Sequence, residues 1–368
     1  MLLRWLIGSA LLSFPQGAAP IAFSLLALSM SGDSAGGAAM MLAMTVAQVI
    51  GVLPFTRLGF RYCPVRYLRF LIMFRTLSLF SIALAAWLQL PFSVMIFLSG
   101  VAGLVIGAAQ GYLRVILNHL VDAGGLPRAL GLAASLNEII FVLAPVVASV
   151  FGTISPVFSL CVIATVGMLP ALLIPTLDIH DTPPAAVSRQ RVLTRPVALW
   201  LACATAVAAI VATVEIGAVA LALEFKYPPA YAVIFTIPLC LASVAGGVLV
   251  SIRNRMSAPG TVLIQLIVMI TGAVAVFVNH STLTSVVGVI LIGSVTAPLG
   301  THFSLVLDSL SPPHLKAEVF ALLRTAIAVG VIIASALLAT GSLISSLAVL
   351  IAFLGAITTG MAFSVRKK

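Results

Sequence analysis

Glu138 and Glu215 each interrupt a long apolar run of this sequence. If those runs cross a bilayer, each carboxyl costs about 2.5–3.5 kcal/mol on insertion scales, which makes it a functional suspect. Lost hydration disfavours an ionised carboxylate, and so brings proton exchange into the physiological range. The chemistry open to Glu138 or Glu215 is exchange of a proton for a solute, or pairing with a cationic solute. The competing reading is a carboxyl locked in a hydrogen-bond or ion-pair network that fixes helix packing.

Three arginines sit in similar company. Arg114 falls about one turn inside its run, where it reaches toward Glu138 or snorkels back to the interface, its alkyl stem in lipid and its charge in water. Arg75 and Arg324 read as lying near the ends of their runs, so snorkelling is expected of both, with a gating role as the alternative. The uncharged polar groups are Gln16, Gln48, Gln110, Asn118, Asn137, Gln265 and His302. A lone buried His or Gln is more often a packing partner than a ligand-binding group.

Composition says what must position these residues. Of 368 residues 62% are hydrophobic and 8% charged, with a mean hydropathy of +1.25. A soluble domain carries about a quarter of its residues as charges, so lipid is the solvent here. A helix needs about 20 apolar residues to cross the hydrocarbon, and twelve spans with short loops account for the whole length. They fall at about 4–30, 37–56, 68–88, 92–118, 129–151, 156–176, 197–223, 230–252, 259–278, 283–307, 317–340 and 345–364. Glu138 then lies about nine residues, or roughly 13 Å, into span five, and Glu215 at a comparable depth in span seven.

The net charge of +10 is topological rather than a nucleic-acid footprint. Arg4, Arg57, Arg61, Arg66, Arg69, Arg128, Arg189, Arg191, Arg195, Arg253, Arg255, Lys316, Arg366, Lys367 and Lys368 gather at one face, against Lys226 at the other. The positive-inside rule makes the rich face cytoplasmic and puts both termini there. One span more or fewer would scatter these charges. Arg4 and the small residues Ala18 and Ala19 resemble a signal peptide, but the apolar run continues to Met30 and is read as a span. Cys63, Cys161, Cys203 and Cys240 have no paired spacing and read as packing residues, without disulfide or metal. No phosphate-cradling Gly motif and no convergent His and carboxylate set appears, so neither ATP hydrolysis nor enzyme chemistry is expected, and no cofactor.

The stretch 177–196, with Asp178, Asp181, Pro183, Pro184 and three arginines, reads as a cytoplasmic linker between halves 1–176 and 197–368. A weak repeat supports the division: Gly51-Val52-Leu53 with Arg57 recurs as Gly247-Val248-Leu249 with Arg253. Parallel six-helix repeats are one plan for secondary transporters. Gly103, Gly107 and Gly111 form a small-residue ladder for close helix packing.

Four segments carry a family resemblance. Thr56-Arg57-Leu58-Gly59-Phe60-Arg61-Tyr62-Cys63 occupies the place of a G-x-L-x-D-R-x-G loop signature, keeping Leu58 and Arg61 but losing both glycines and, to Phe60, the acidic residue. Glu138 to Pro145 looks like E-x-x-F-V-x-G-P with Ala144 for glycine. Glu215 with Ala218-Val219-Ala220 and Glu224 resembles a further segment, and Pro312-Pro313 followed by Ala317-Glu318-Val319-Phe320 resembles a P-P…E-A-F helix start. Together they resemble the major facilitator superfamily, within it the compact bacterial efflux permeases.

The resemblance implies an all-α integral membrane protein of two pseudo-symmetric six-helix bundles in the bacterial inner membrane, monomeric, moving a small solute by alternating access with proton-coupled efflux. It implies that spans one, four, seven and ten line the cavity. That favours Gln16, Gln110 and His302 over Gln48 or Gln265, beside Glu138, Glu215 and Arg114. It gives Arg57, Arg61 and Arg324 gating roles and makes Pro145 a functional kink. The mostly apolar cavity suits a lipophilic or amphipathic solute. A non-transporting solute sensor or assembly partner is the alternative, mildly favoured by Phe60.

Overall fold

The structure is a computed structural model, which describes residues 1–31, 35–175, 193–227, 229–255, 257–340 and 342–366. The expected linker 177–196 lies outside the described residues except for its last four. Thirteen α-helices are described: α1 Leu2–Ser31, α2 Ala35–Leu58, α3 Pro64–Trp87, α4 Phe92–Gly103, α5 Ile106–Leu120, α6 Leu126–Ile154, α7 Pro156–Leu173, α8 Arg195–Glu224, α9 Val233–Arg253, α10 Pro259–Val278, α11 Thr282–Leu310, α12 Lys316–Thr340 and α13 Leu343–Arg366. No strand occurs among the described residues.

These elements make twelve spans long and apolar enough to cross a membrane, with α4 and α5 together forming the fourth, Phe92–Leu120. The protein is an all-α, multi-pass membrane protein. Hydrocarbon offers no partner to a backbone N–H or C=O, so continuous helices are the stable way through. Their starts follow local chemistry: proline opens α3, α7 and α10 at a first-turn position, where its missing N–H costs no hydrogen bond. Asn254 and Asn279 end α9 and α10 in the left-handed conformation, at φ 44° and 48°.

Two boundaries differ from the sequence reading, and both matter for the site. Span three begins at Pro64, a full turn earlier than expected, because the helix runs on through Arg66 and Arg69. Span four is broken at Leu104 and Val105. Around this break the backbones of α2 and α4 meet directly: a Cβ on Gly51 would strike the Leu104 carbonyl, and one on Gly103 the Met44 carbonyl.

The chain forms two compact units. The first comprises Met1–Ala123, Leu136–Gln190 and Ser311–Thr325, so it includes the opening turns of α12. In it α1 packs on α7 and α2, α3 on α7 and α4, and α2 on α4 and α5. Phe14, Phe23, Met40, Ile82, Met95 and Leu160 belong to its apolar core. The second comprises Gly124–Ser135, Arg191–Leu310 and Ala326–Lys368. There α11 packs on α9, α10 and α8, and α13 on α8 and α10. The opening turns of α6 lie against α9 in this unit: Ser135 Oγ donates to the Val244 carbonyl at 3.1 Å, and a Cβ on Gly131 would meet the Gly247 carbonyl.

Candidate functional site

Four polar side chains converge in the first unit, each from a different helix. Arg75 stands in the middle of α3, 11 residues from Pro64 and 12 from Trp87, or about 17 and 18 Å along the axis. It is 5% exposed, and its Nη1 donates to the Leu12 carbonyl of α1 at 2.9 Å. Arg324 of α12 donates from Nη2 to Gln16 Oε1 of α1 at 3.2 Å. Gln16 Nε2 then donates to Gln48 Oε1 of α2 at 3.5 Å. Gln48 is 1% exposed.

The direction of this chain is fixed by chemistry. A guanidinium has donors only, so Gln16 must turn its oxygen to Arg324 and its amide N–H to Gln48. Gln48 accepts with its oxygen and is left with a buried Nε2 that has no partner. Buried Nε of Arg75 is also without a partner. Arg75 and Arg324 both donate to α1, at Leu12 and Gln16, about one helical turn apart. Neither guanidinium has a carboxylate partner among the described residues.

A second polar feature of the first unit closes the end of α2. Arg57 donates from Nη2 to Glu318 Oε1 at 2.8 Å and from Nε to Oε2 at 3.3 Å. The pair is lopsided: the Arg57 side chain is 57% exposed and that of Glu318 is 2% exposed. Two tyrosines fix the helix end that carries Arg57. Tyr67 Oη donates to the Phe55 carbonyl at 2.6 Å and Tyr112 Oη to the Thr56 carbonyl at 2.7 Å, satisfying acceptors that a helix C-terminus leaves over. Their rings meet edge to face at 5.0 Å. Gly59 lies directly beneath both rings, and a Cβ there would overlap them.

The remaining expected residues are placed as follows. Arg114 is buried rather than snorkelled: its Nη1 donates to Asn118 Oδ1 and its guanidinium sits 4.7 Å from the centre of the Phe320 ring. Desolvation of the charge is offset there by the ring face and the amide oxygen. Arg75 does not snorkel either, because the earlier start of α3 puts it at mid-span. Glu138 is half-buried on α6 and Glu215 exposed on α8. Gln110 is half-buried on α5 and makes no hydrogen bond to the arginine cluster. Arg61 is exposed at the end of the short 3-10 turn after α2. Pro145 lies inside a helix that continues from Leu126 to Ile154.

His302 belongs to the second unit, buried on α11 with its ring edge to face on Trp200 of α8 at 5.2 Å and its Nδ1 without a partner. Thus the structure joins Gln16 with Arg324, and Arg57 with a partner. It does not join Gln110 to the cluster. Three contributors were missed as site residues: Arg75, Gln48 and Glu318. Glu318 was visible as the single acid of its helix start, which is the signal that would have found it.

No protein-family model matches the sequence, and neither does any curated protein. Solved structures do match. A bacterial homologue of the iron transporter ferroportin, in an outward-facing state, superposes with a TM-score of 0.76 at 13% identity, over 98% of this chain and 99% of that one. The major facilitator superfamily transporter FucP, in the outward conformation, gives 0.76 at 11% identity over 98% of each chain. The human organic anion transporter MFSD10 (TETRAN) gives 0.72 at 13% identity over 98% of each. At such identities the likeness is one of fold, and the chain has the twelve-span fold of major facilitator superfamily transporters.

Proposed function

We propose that the chain is a secondary active transporter of a small solute, working by alternating access. One observation carries this reading: a cluster of charged and amide side chains, Arg75, Arg324, Gln16 and Gln48, inside the spanning helices, with Arg75 and Gln48 buried near mid-helix and Arg324 and Gln16 half-buried, in a fold that the matched transporters share. Ionisable groups within a membrane span are expensive and by default mark functional sites such as solute pathways. The Arg57–Glu318 pair supports the same reading, since it ties the end of α2 to the start of α12 at the mouth of the bundle's helices.

The finer reading is proton-coupled efflux of an amphipathic solute, by a monomer in a bacterial inner membrane with both termini in the cytoplasm. The clustering of Lys and Arg on the loops of one face supports the orientation. Glu138 and Glu215 are the groups proposed to carry the proton, with Gln110, His302 and Arg114 as further cavity residues and Arg61 and Pro145 serving the conformational change. The test is a thermal-shift screen of chemically diverse compounds, followed by flux of each stabilising compound in proteoliposomes with and without a pH gradient. Protein-dependent flux that responds to the gradient is expected. Binding without flux would favour the second reading, a solute sensor, to which the Phe60 replacement in the loop signature points.

A further inference from the structure

The arginine cluster has a property that the transporter reading does not use. Its buried atoms without a partner are all of one kind. Arg75 and Arg324 are donors without acceptor capacity, and the chain Arg324 to Gln16 to Gln48 passes that polarity along, ending on an N–H of Gln48. The two buried polar atoms there without a partner, Arg75 Nε and Gln48 Nε2, are both donors. Two like charges are held about one turn apart along α1, at Leu12 and Gln16, and neither is paired with a carboxylate of the described chain. Removing a partner from a buried charge is strongly destabilising, so a pair of cations left in this state calls for an anion from outside the chain.

Depth narrows the source. Arg75 is about 17 Å from either end of α3, and Gln48 is 10 residues, about 15 Å, from the end of α2 at Leu58. A lipid headgroup stays at the interface, whereas a transported solute passes the midplane. Guanidinium forks match planar oxyanions through paired N–H donors, and a carboxylate fits that geometry.

We propose that Arg75, Arg324, Gln16 and Gln48 bind the carboxylate of a small organic anion, which is the solute carried. The proposal rests on the transporter reading for the word carried; binding is independent of it. Gln16 and Gln48 act as relays, engaging their oxygens with Arg324 and Gln16 so that a free N–H remains on Gln48. A cationic solute is repelled by the two guanidiniums, and a neutral one leaves their charge uncompensated.

The test uses the purified full-length protein in a neutral detergent. Thermal unfolding is followed with acetate, butyrate and benzoate as sodium salts, with butyramide and benzamide as neutral isosteres, and with sodium chloride at matched ionic strength. At least one carboxylate is expected to raise the midpoint by a few degrees, saturably, while its amide does not. Arg324→Gln should lose the response. Gln48→Glu supplies an internal carboxylate, so that variant should unfold at or above the wild-type midpoint and ignore added carboxylates.

This second variant guards against a simple folding defect in the first. The proposal is overturned if no carboxylate stabilises the wild type, if the amides match them, if Gln48→Glu keeps the response, or if phosphatidylglycerol or inorganic phosphate alone produces it. A carboxylate that binds but is not moved into proteoliposomes would remove the transporter reading and leave the site. Flux of a neutral compound without any carboxylate response would do the reverse.

Discussion

Glu318 accepts two hydrogen bonds from Arg57, which precedes it by 261 residues, and the acid is buried while the base is mostly in water. The asymmetry decides which partner is dispensable. Losing Arg57 strands a carboxylate where hydration cannot reach it, whereas losing Glu318 leaves a guanidinium that water can still solvate.

Arg57→Gln should therefore lower the unfolding midpoint more than Glu318→Gln does. The double variant should be no worse than Arg57→Gln alone, giving a coupling of about 1–3 kcal/mol in a double-mutant cycle. Additive losses would show that the pair is not a unit.

The glycines on the fourth span are predicted to differ sharply. Gly103 and Gly51 meet backbone across the α2–α4 crossing, and backbone has little room to give. Gly103→Ala should cost about 1–3 kcal/mol as overpacking. At Gly100 the nearest atom to an added Cβ is 3.8 Å away, so Gly100→Ala should leave thermal stability unchanged or slightly improved. Circular-dichroism melts of the two variants in one detergent make the comparison.

Gly59→Ala should resemble Gly103→Ala in its loss of stability, for a different reason. Its Cβ would overlap Tyr67 and Tyr112, which hold the last carbonyls of α2 and so the base of Arg57. The expected signature is a lowered midpoint together with a reduced Arg57–Glu318 coupling when the cycle is repeated in the Gly59→Ala background. An undiminished coupling would mean that the tyrosines do not position the pair.

Proton coupling is tested by Glu138→Gln and Glu215→Gln. One of the two should abolish the stimulation of flux by a pH gradient while solute binding, read by thermal shift, persists. Unchanged pH dependence in both would remove these carboxyls from the coupling mechanism.

Much of the architecture was legible because a bilayer imposes one rule, about 20 apolar residues per crossing. All twelve spans are found within a few residues of their expected positions. What could not be read was facing. α2 and α3 are apolar nearly all round, so periodicity gave no sign that Gln48 and Arg75 turn inward toward Gln16 and Leu12. Arg75 was further misjudged because the span was expected to begin at residue 68 rather than Pro64, which placed it nearer an interface instead of at mid-span. For Arg114 the sequence left two readings, a reach toward Glu138 or snorkelling to the interface, and could not show the Phe320 ring beside it, which comes from a helix 206 positions further along the chain. Glu318 was noticed only within a motif, since an acid in the first turn of a helix ordinarily reads as a favourable dipole contact.

The central claim, that the chain moves a solute by opening and closing, is tested most directly by tethering the two residues of the Arg57–Glu318 pair. Arg57→Cys and Glu318→Cys are introduced together after the four native cysteines have been replaced, and the protein is joined by a short bismaleimide and reconstituted with a carboxylate that stabilises the wild type. Counterflow should run in the untreated double variant and stop once the bridge forms. Counterflow that continues at full rate through the tethered protein would contradict the account.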